Sequence, residues 1–280
     1  MDLVEKIKIL QNHLKVRNFK KVIEGSKVIL NKVPNNDYLL NITGMAYQGL
    51  SQHDNSIKCF NQALKHSPNN LAAMNNLANS LKAIGKFEES RDLYEDILKA
   101  NPNYINAYNN YANLKTLVND YDGAIQLYKN AYSIIEKADN FPISTVAGIL
   151  FSLAAAYQSA NKINETKQTI EKILSVDPSH VGANKLVSSL TKYSKDNKES
   201  IKHLKNMEEI DKQINEQDLI KKVDISYALG KSYEDLKNFE KAFHYLSKAN
   251  QLKFDKKGSN LEAEKKAIRN IIKIFEGIDL

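Results

Sequence analysis

Pro34, Pro68 and Pro102 recur at a single interval of 34 residues. A fixed interval of that size restricts the chain to architectures built by stacking one small unit many times. Each proline follows one amphipathic stretch and precedes another. Proline has no amide hydrogen and cannot continue a helix, but it can end one helix and launch the next. Only five prolines and ten glycines occur in 280 residues. That is little turn punctuation for a chain of short strands, so the segments between the prolines are expected to be helical. The length is large for one compact core and ordinary for a stack, whose size is set by the number of units.

Aligning the segments beneath the prolines brings further positions into register. Asp37–Asn70 carries Thr43, Gly44 and Tyr47, then Ser56, Phe60 and Ala63. In Leu71–Tyr104 the corresponding residues are Leu77, Ala78 and Leu81, then Ser90, Tyr94 and Ile97, with Gly85 and Phe87 in the turn. In Ile105–Ala138 they are Tyr111, Ala112 and Lys115, then Ala124, Tyr128 and Ala131. The small residues Gly44, Ala78, Ala112, Ala63 and Ala131 are expected where two helices approach closely. Tyr47, Phe60, Tyr94 and Tyr128 are expected to fill the space between one pair and the next. Leu3–Asn36 is a degenerate first unit that keeps Phe19, Ile29 and Pro34, as an end cap does.

The register then slips by about eight residues. The excess falls in KADNFPIST, read as a longer turn bent by Pro142, before a unit at Ala147–His180 with Leu150, Leu153, Ala154, Tyr157 and Pro178. A weak unit follows from Val181 with Leu204 and Met207. A strong one carries Leu229, Gly230, Tyr233, Phe239, Ala242, Leu246 and Ala249. The segment Leu261–Phe275 places Ala267, Ile268, Ile271, Ile272 and Phe275 on one side of a final helix.

These small, aromatic and proline positions resemble the tetratricopeptide repeat. The resemblance implies an all-α, right-handed superhelical solenoid of about seven helix pairs with a C-terminal capping helix. The expected divisions are an N-terminal array over 1–138, a longer turn over 139–146, a second array over 147–256 and a C-terminal helix over 257–280. A narrower resemblance covers Tyr227 to Asn250, YALGKSYEDLKNFEKAFHYLSKAN. That stretch is similar to the last helical repeat of bacterial proteins in which tetratricopeptide repeats precede a sulfotransferase domain. It implies an association with sulfotransferases. The chain itself contains no Gly-rich phosphate loop following a strand.

Other chemistry finds no support in the residues. Cys59 is the only cysteine, which excludes an internal disulfide and a multi-cysteine metal site. The six histidines (13, 53, 66, 180, 203 and 244) fall at scattered positions without paired ligand spacing. No GxSxG element occurs. The expectation is a non-catalytic chain without metal or cofactor.

A net charge of +7 raises nucleic acid as a partner. The lysines are interleaved with acids, as in KSYEDLKNFEK, and no nucleic-acid-reading motif accompanies them. Phe141 to Tyr157 is apolar but shorter than the roughly 20 residues of a membrane-spanning helix, and it falls in the repeat register as a buried helix. The opening MDLVEKIKIL is amphipathic and unlike a signal peptide. These readings point to the cytoplasm and to a protein or peptide partner.

One constellation suggests how a partner is held. The first helix of such a unit lines the concave groove, and in two successive units it reads MNNLANSL and YNNYANLK. Asn75, Asn76 and Asn79 are thereby repeated as Asn109, Asn110 and Asn113. A spacing of four places Asn75 with Asn79, and Asn109 with Asn113, on one helix face. An amide both donates and accepts, so stacked asparagines can grip the main chain of an extended peptide without reading its side chains. The pattern resembles the asparagine ladder of the O-linked N-acetylglucosamine transferase repeats, which implies the same use. Tyr38, Phe151 and Tyr227 are further groove candidates. The readings left open are a scaffold that holds a polypeptide, the helical front of a sulfotransferase whose catalytic domain lies elsewhere, and a basic nucleic-acid-binding surface.

Overall fold

The computed structural model describes residues 2–138 and 140–257. The capping helix expected at Leu261–Phe275 lies outside the described residues. Among those residues there are fourteen helices and no strand, as seven successive pairs: α1 (Leu3–Lys15) with α2 (Phe19–Leu30), α3 (Asp37–Gly49) with α4 (His53–His66), α5 (Leu71–Ala83) with α6 (Phe87–Ala100), α7 (Ile105–Leu117) with α8 (Tyr121–Ala138), α9 (Ile143–Ser159) with α10 (Ile163–Val176), α11 (Val181–Leu190) with α12 (Lys198–Gln213), and α13 (Leu219–Asp235) with α14 (Phe239–Lys257). The all-α repeat architecture read from the sequence is the architecture of the chain.

Local chemistry sets the helix ends. Pro34, Pro68, Pro102 and Pro178 each sit in the turn between a second helix and the next first helix. After Pro34, Pro68 and Pro178 the side chain of the residue before the new helix caps it. Asn36 Oδ1 accepts from the Leu39 amide at 2.9 Å and Asn70 Oδ1 from the Ala73 amide at 3.1 Å, while His180 uses Nδ1 for the Ala183 amide at 3.1 Å. Each cap satisfies one of the amides that a helix start leaves without a partner. Within the pairs, the chain turns through a residue in the left-handed region: Arg17, Ser51, Gly85 and Asn119 at the 34-residue interval, then Asn161 and Lys237. Only one of these six is glycine.

The slip in register is absorbed differently from the expectation of a turn over 139–146. Pro142 is itself the N-cap, and α9 begins at Ile143. The extra residues therefore lengthen α8 and α9 rather than the connection between them. In α9, Ala147, Ile149, Leu150, Leu153, Ala154, Ala156 and Tyr157 are buried. No helix among the described residues is long and apolar enough to cross a membrane.

The chain forms two compact units. The first comprises the chain up to Pro142 together with Ala155–Ile163, and the second Ile143–Ala154 together with the chain from Asn164. In the first unit each helix packs on the next, and first helices also touch one another, α3 with α5 and α5 with α7. First helices thus form a continuous inner layer. The core is a series of small clusters between successive pairs. Val22 and Ile23 of α2 meet Ile42 and Ala46 of α3. Phe60 of α4 meets Leu77 and Leu81 of α5. Tyr94 and Ile97 of α6 meet Ala107, Tyr111 and Leu114 of α7.

In the second unit α13 is central, packing against α11, α12 and α14. The weak repeat signal from Val181 has a structural cause. α11 is only ten residues long, and the connection to α12 runs without helix from Thr191 to Asn197. Tyr193 of that connection is driven into the core with Leu204, Met207, Ile225 and Leu229, taking the place that a longer α11 would fill.

Candidate functional site

The asparagine positions lie on α5 and α7, in the inner layer of the first unit. They separate into two roles that sequence spacing does not distinguish. Asn75 and Asn76, with Asn41 before them and Asn110 after them, are staples between repeats. Asn76 Nδ2 donates to Asn41 Oδ1 at 3.1 Å, and Asn110 Nδ2 donates to Asn75 Oδ1 at 3.0 Å. Both bonds join residues 35 apart in the chain, so the amide at one position of a unit reaches the neighbouring position of the unit before. Asn75 is only 6 % exposed. Gln48 adds to the first staple, with Nε2 donating to the Asn76 carbonyl at 2.8 Å and to Ser80 Oγ at 2.7 Å. Asn109 is half-buried at the equivalent position on α7.

Asn79 and Asn113 are arranged otherwise. Tyr94 of α6 donates its hydroxyl to Asn79 Oδ1 at 2.7 Å, and Tyr128 of α8 donates to Asn113 Oδ1 at 2.7 Å. Donor and acceptor both repeat at 34 residues. Each bond crosses from the second helix of a pair to the first and occupies the amide oxygen. The Nδ2 groups of both asparagines make no hydrogen bond among the described residues. Asn79 is half-buried and Asn113 exposed. The tyrosines are held in turn: Tyr94 is fully buried, and its ring stacks on that of Tyr111 at 5.8 Å. The Tyr111 hydroxyl donates to Glu95 at 2.8 Å. Burial raises the pKa of both Tyr94 and Tyr111, so each remains a neutral O–H donor.

The three aromatic candidates fall apart. Tyr38 is exposed at the start of α3, where its hydroxyl accepts from Gln11. Tyr227, half-buried on α13, donates to Asn250 at 2.6 Å. Phe151 belongs to the second unit. Its ring lies 5.1 Å from that of His180 and presses on Gly182, where an added β-carbon would stand 2.7 Å from the ring. Phe151 and His180 line a cavity of about 620 Å³ together with Ile210, Ile214, Asp218 and Lys221. Sequence reasoning singled out Phe151 but not this cavity, because its walls come from four segments whose positions only folding fixes.

Two polar features of the second unit also lack a signal in spacing. Lys222 is a lysine only 3 % exposed. Its ammonium donates to the Asp211 carbonyl at 2.7 Å and pairs with Glu216 at 2.8 Å. His203 accepts from the Tyr193 hydroxyl at Nδ1, 2.5 Å away, and meets Asn184 Oδ1 through Nε2 at 3.0 Å. Burial pushes its pKa down to about 4. His203 and the cap residue His180 are structural, and no group of histidine, cysteine and carboxylates that could hold a metal occurs among the described residues.

Known proteins agree with this architecture. Residues 5–133 match the family model of the N-terminal tetratricopeptide-repeat region of psidin, and residues 223–256 match the model of the tetratricopeptide repeat. No curated protein sequence matches the chain. Among solved structures, a tetratricopeptide repeat protein from Parabacteroides merdae is similar with a TM-score of 0.60 at 16 % identity, over 95 % of this chain and 96 % of that one. The C-terminal part of a repeat-containing protein from Cytophaga hutchinsonii gives 0.59 at 13 % identity, over 88 % and 94 %. A thermophilic repeat protein of Thermus thermophilus gives 0.55 at 15 % identity, over 66 % and 96 %. At these identities the likeness is one of fold. Repeat spacing, helix pairing and the matched family models together make this chain a tetratricopeptide-repeat protein.

Proposed function

We propose that the chain is a non-catalytic scaffold that holds an extended polypeptide along the first helices of its N-terminal unit, gripping the main chain through Asn79 and Asn113. The fold is typical of protein-interaction modules. The observation that carries the finer reading is the repeated Tyr–Asn bond. Tyr94 and Tyr128 hold the two amide oxygens, which leaves an Nδ2 donor at equivalent positions in successive repeats. Amide donors already oriented lose little freedom on meeting the carbonyl oxygens of a peptide backbone. The resemblance of Tyr227–Asn250 extends the proposal: the held polypeptide would be offered to a sulfotransferase. That extension is tested by adding the chain to such an enzyme and asking whether KM falls for polypeptide acceptors but not for small ones.

The core proposal is tested by titrating a library of extended peptides against the wild type and the Asn79→Ala/Asn113→Ala variant. Two hydrogen bonds of roughly 0.5–1.5 kcal/mol each predict a loss of roughly five- to 150-fold in affinity, broad tolerance of peptide sequence and little response to salt. Equal affinity for the two proteins overturns the reading.

A further inference from the structure

The cavity of the second unit is lined by neither Asn79 nor Asn113. At about 620 Å³ it falls among the clefts that hold ligands, roughly 300–1,000 Å³. Its apolar wall is Phe151 of α9 with Val181, Ile210 and Ile214. Gly182 makes room for the aromatic part of that wall, since a β-carbon at 182 would stand 2.7 Å from Cζ of the Phe151 ring.

The polar wall is acidic. Asp177, Asp218 and Asp224 line it against a single lysine, Lys221, in a chain whose net charge is +7. Asp218 pairs with Lys221 at 3.2 Å and Asp224 with Lys185 at 2.6 Å. Both lysines are exposed, and exposed pairs hold weakly. Asp177 makes no ion pair among the described residues; its Oδ1 accepts from the Ser179 amide at 3.1 Å and the Ser179 hydroxyl at 2.8 Å. His180, whose ring lies 5.1 Å from that of Phe151, adds no positive charge. Its Nδ1 accepts from the Ala183 amide, and burial lowers its pKa. The starts of α11 and α13 would by themselves favour an anion, but each is already capped, by His180 and by the Asp218 carboxylate.

We infer that this cavity binds a basic side chain of a polypeptide partner, its cation held by the Phe151 ring and the Asp177 carboxylate while an adjoining apolar residue packs on Ile214. An aromatic face and a carboxylate both attract a cation, and both act more strongly where water is partly excluded. Arginine suits the site better than lysine, because a guanidinium can stack on the ring and fork onto the carboxylate. Recognition here reads a side chain and weakens with salt, whereas a grip on the peptide main chain does neither.

NMR titration of the full chain with the peptide acetyl-Ala-Leu-Arg-Ala-amide tests this. The amides of Ser179, Gly182 and Asn215 should shift saturably. The same peptide with norleucine or glutamate in place of arginine should bind at least about tenfold more weakly, the loss of a charged hydrogen bond. Phe151→Leu and Asp177→Asn should each weaken the arginine peptide by roughly threefold or more. Asn79→Ala/Asn113→Ala should leave its affinity unchanged, which separates this site from the grip proposed in the first unit. Asp177→Asn preserves the size of the side chain and keeps the test valid if Phe151→Leu disturbs the packing on Gly182. Absence of saturable shifts with the arginine peptide overturns the inference. Equal binding of the norleucine peptide overturns it too, because the cavity then reads apolar surface alone. Tighter binding of the glutamate peptide does the same, because the helix starts then outweigh the carboxylates. An affinity for the arginine peptide that neither Phe151→Leu nor Asp177→Asn alters places the peptide elsewhere and also overturns it.

Discussion

The ring of Phe60 occupies the space a side chain on Gly44 would need: a β-carbon built on that glycine stands 2.5 Å from Cε1 of the ring. The same relationship recurs between Gly230 and Leu246, at 2.6 Å. In both repeats the first helix gives up its side chain so that a large residue of the second helix can lie flat against its backbone. Gly44→Leu should therefore cost about 1–3 kcal/mol through overpacking. Lys58→Leu, at an exposed position on α4, should change stability by less than about 0.5 kcal/mol. Urea denaturation of the two variants checks both values, and equal midpoints would show that Gly44 does not face Phe60.

The staples between repeats give a second expectation. Asn110→Ala removes the donor that satisfies Asn75 Oδ1, leaving an acceptor on a residue only 6 % exposed. The expected cost is about 1–3 kcal/mol. Asn113→Ala should cost less, because its exposed amide bonds only the hydroxyl of Tyr128. The asparagines thus separate by assay: Asn110 in a thermal melt, Asn79 and Asn113 in a peptide titration. A substitution of all four amides would confound the two.

The left-handed turn residues predict a gain. Ser51 has φ 58°, a region in which a β-carbon is strained and glycine is not. Ser51→Gly should raise stability by about 0.5–1 kcal/mol, the relief of strain less the added entropy of the unfolded chain. The same change at exposed Ser247 within α14 should lower it. Melting temperatures of the two variants moving in the same direction would contradict the assigned turn geometry.

Acid should weaken the second unit first. His203 has a folded pKa of about 4, below its ordinary value of 6.5, because burial disfavours the charged ring. The unfolded chain therefore binds more protons between those values. Stability that is complete above about pH 6.5 is lost as pH falls towards 4. A second loss follows at lower pH. Burial alone would raise the Asp235 pKa, but the bonds it accepts from Lys192, Lys231 and the Tyr193 amide hold it at about 2, so its contribution disappears between about 3.8 and 2. Denaturant midpoints at pH 7.5, 5.5 and 4.5 should fall for the wild type. The decline over that range should be shallower for His203→Gln, which cannot be protonated.

The sequence alone determined the repeat. A 34-residue interval of prolines, with small and aromatic residues at constant offsets, leaves few ways to bury both faces of each helix except by stacking pairs, so the architecture could be read from Pro34, Gly44, Phe60 and their equivalents. It also located the asparagines, because a helix face follows from spacing. Tertiary structure alone decided what those amides do. Whether an asparagine is a staple or an oriented donor depends on which group lies within 3 Å of its oxygen. Tyr94 reaches Asn79 from 15 residues away and Asn110 reaches Asn75 from 35, and each distance is set by packing between helices rather than by position along one. The same holds for Lys222 and His203. Nothing in their local sequence differs from that of surface residues, and their burial follows from α13 lying between three other helices. Tyr193 shows the reverse dependence: the repeat pattern failed there because a residue from a connection, which carries no periodicity, fills the core in place of a helix.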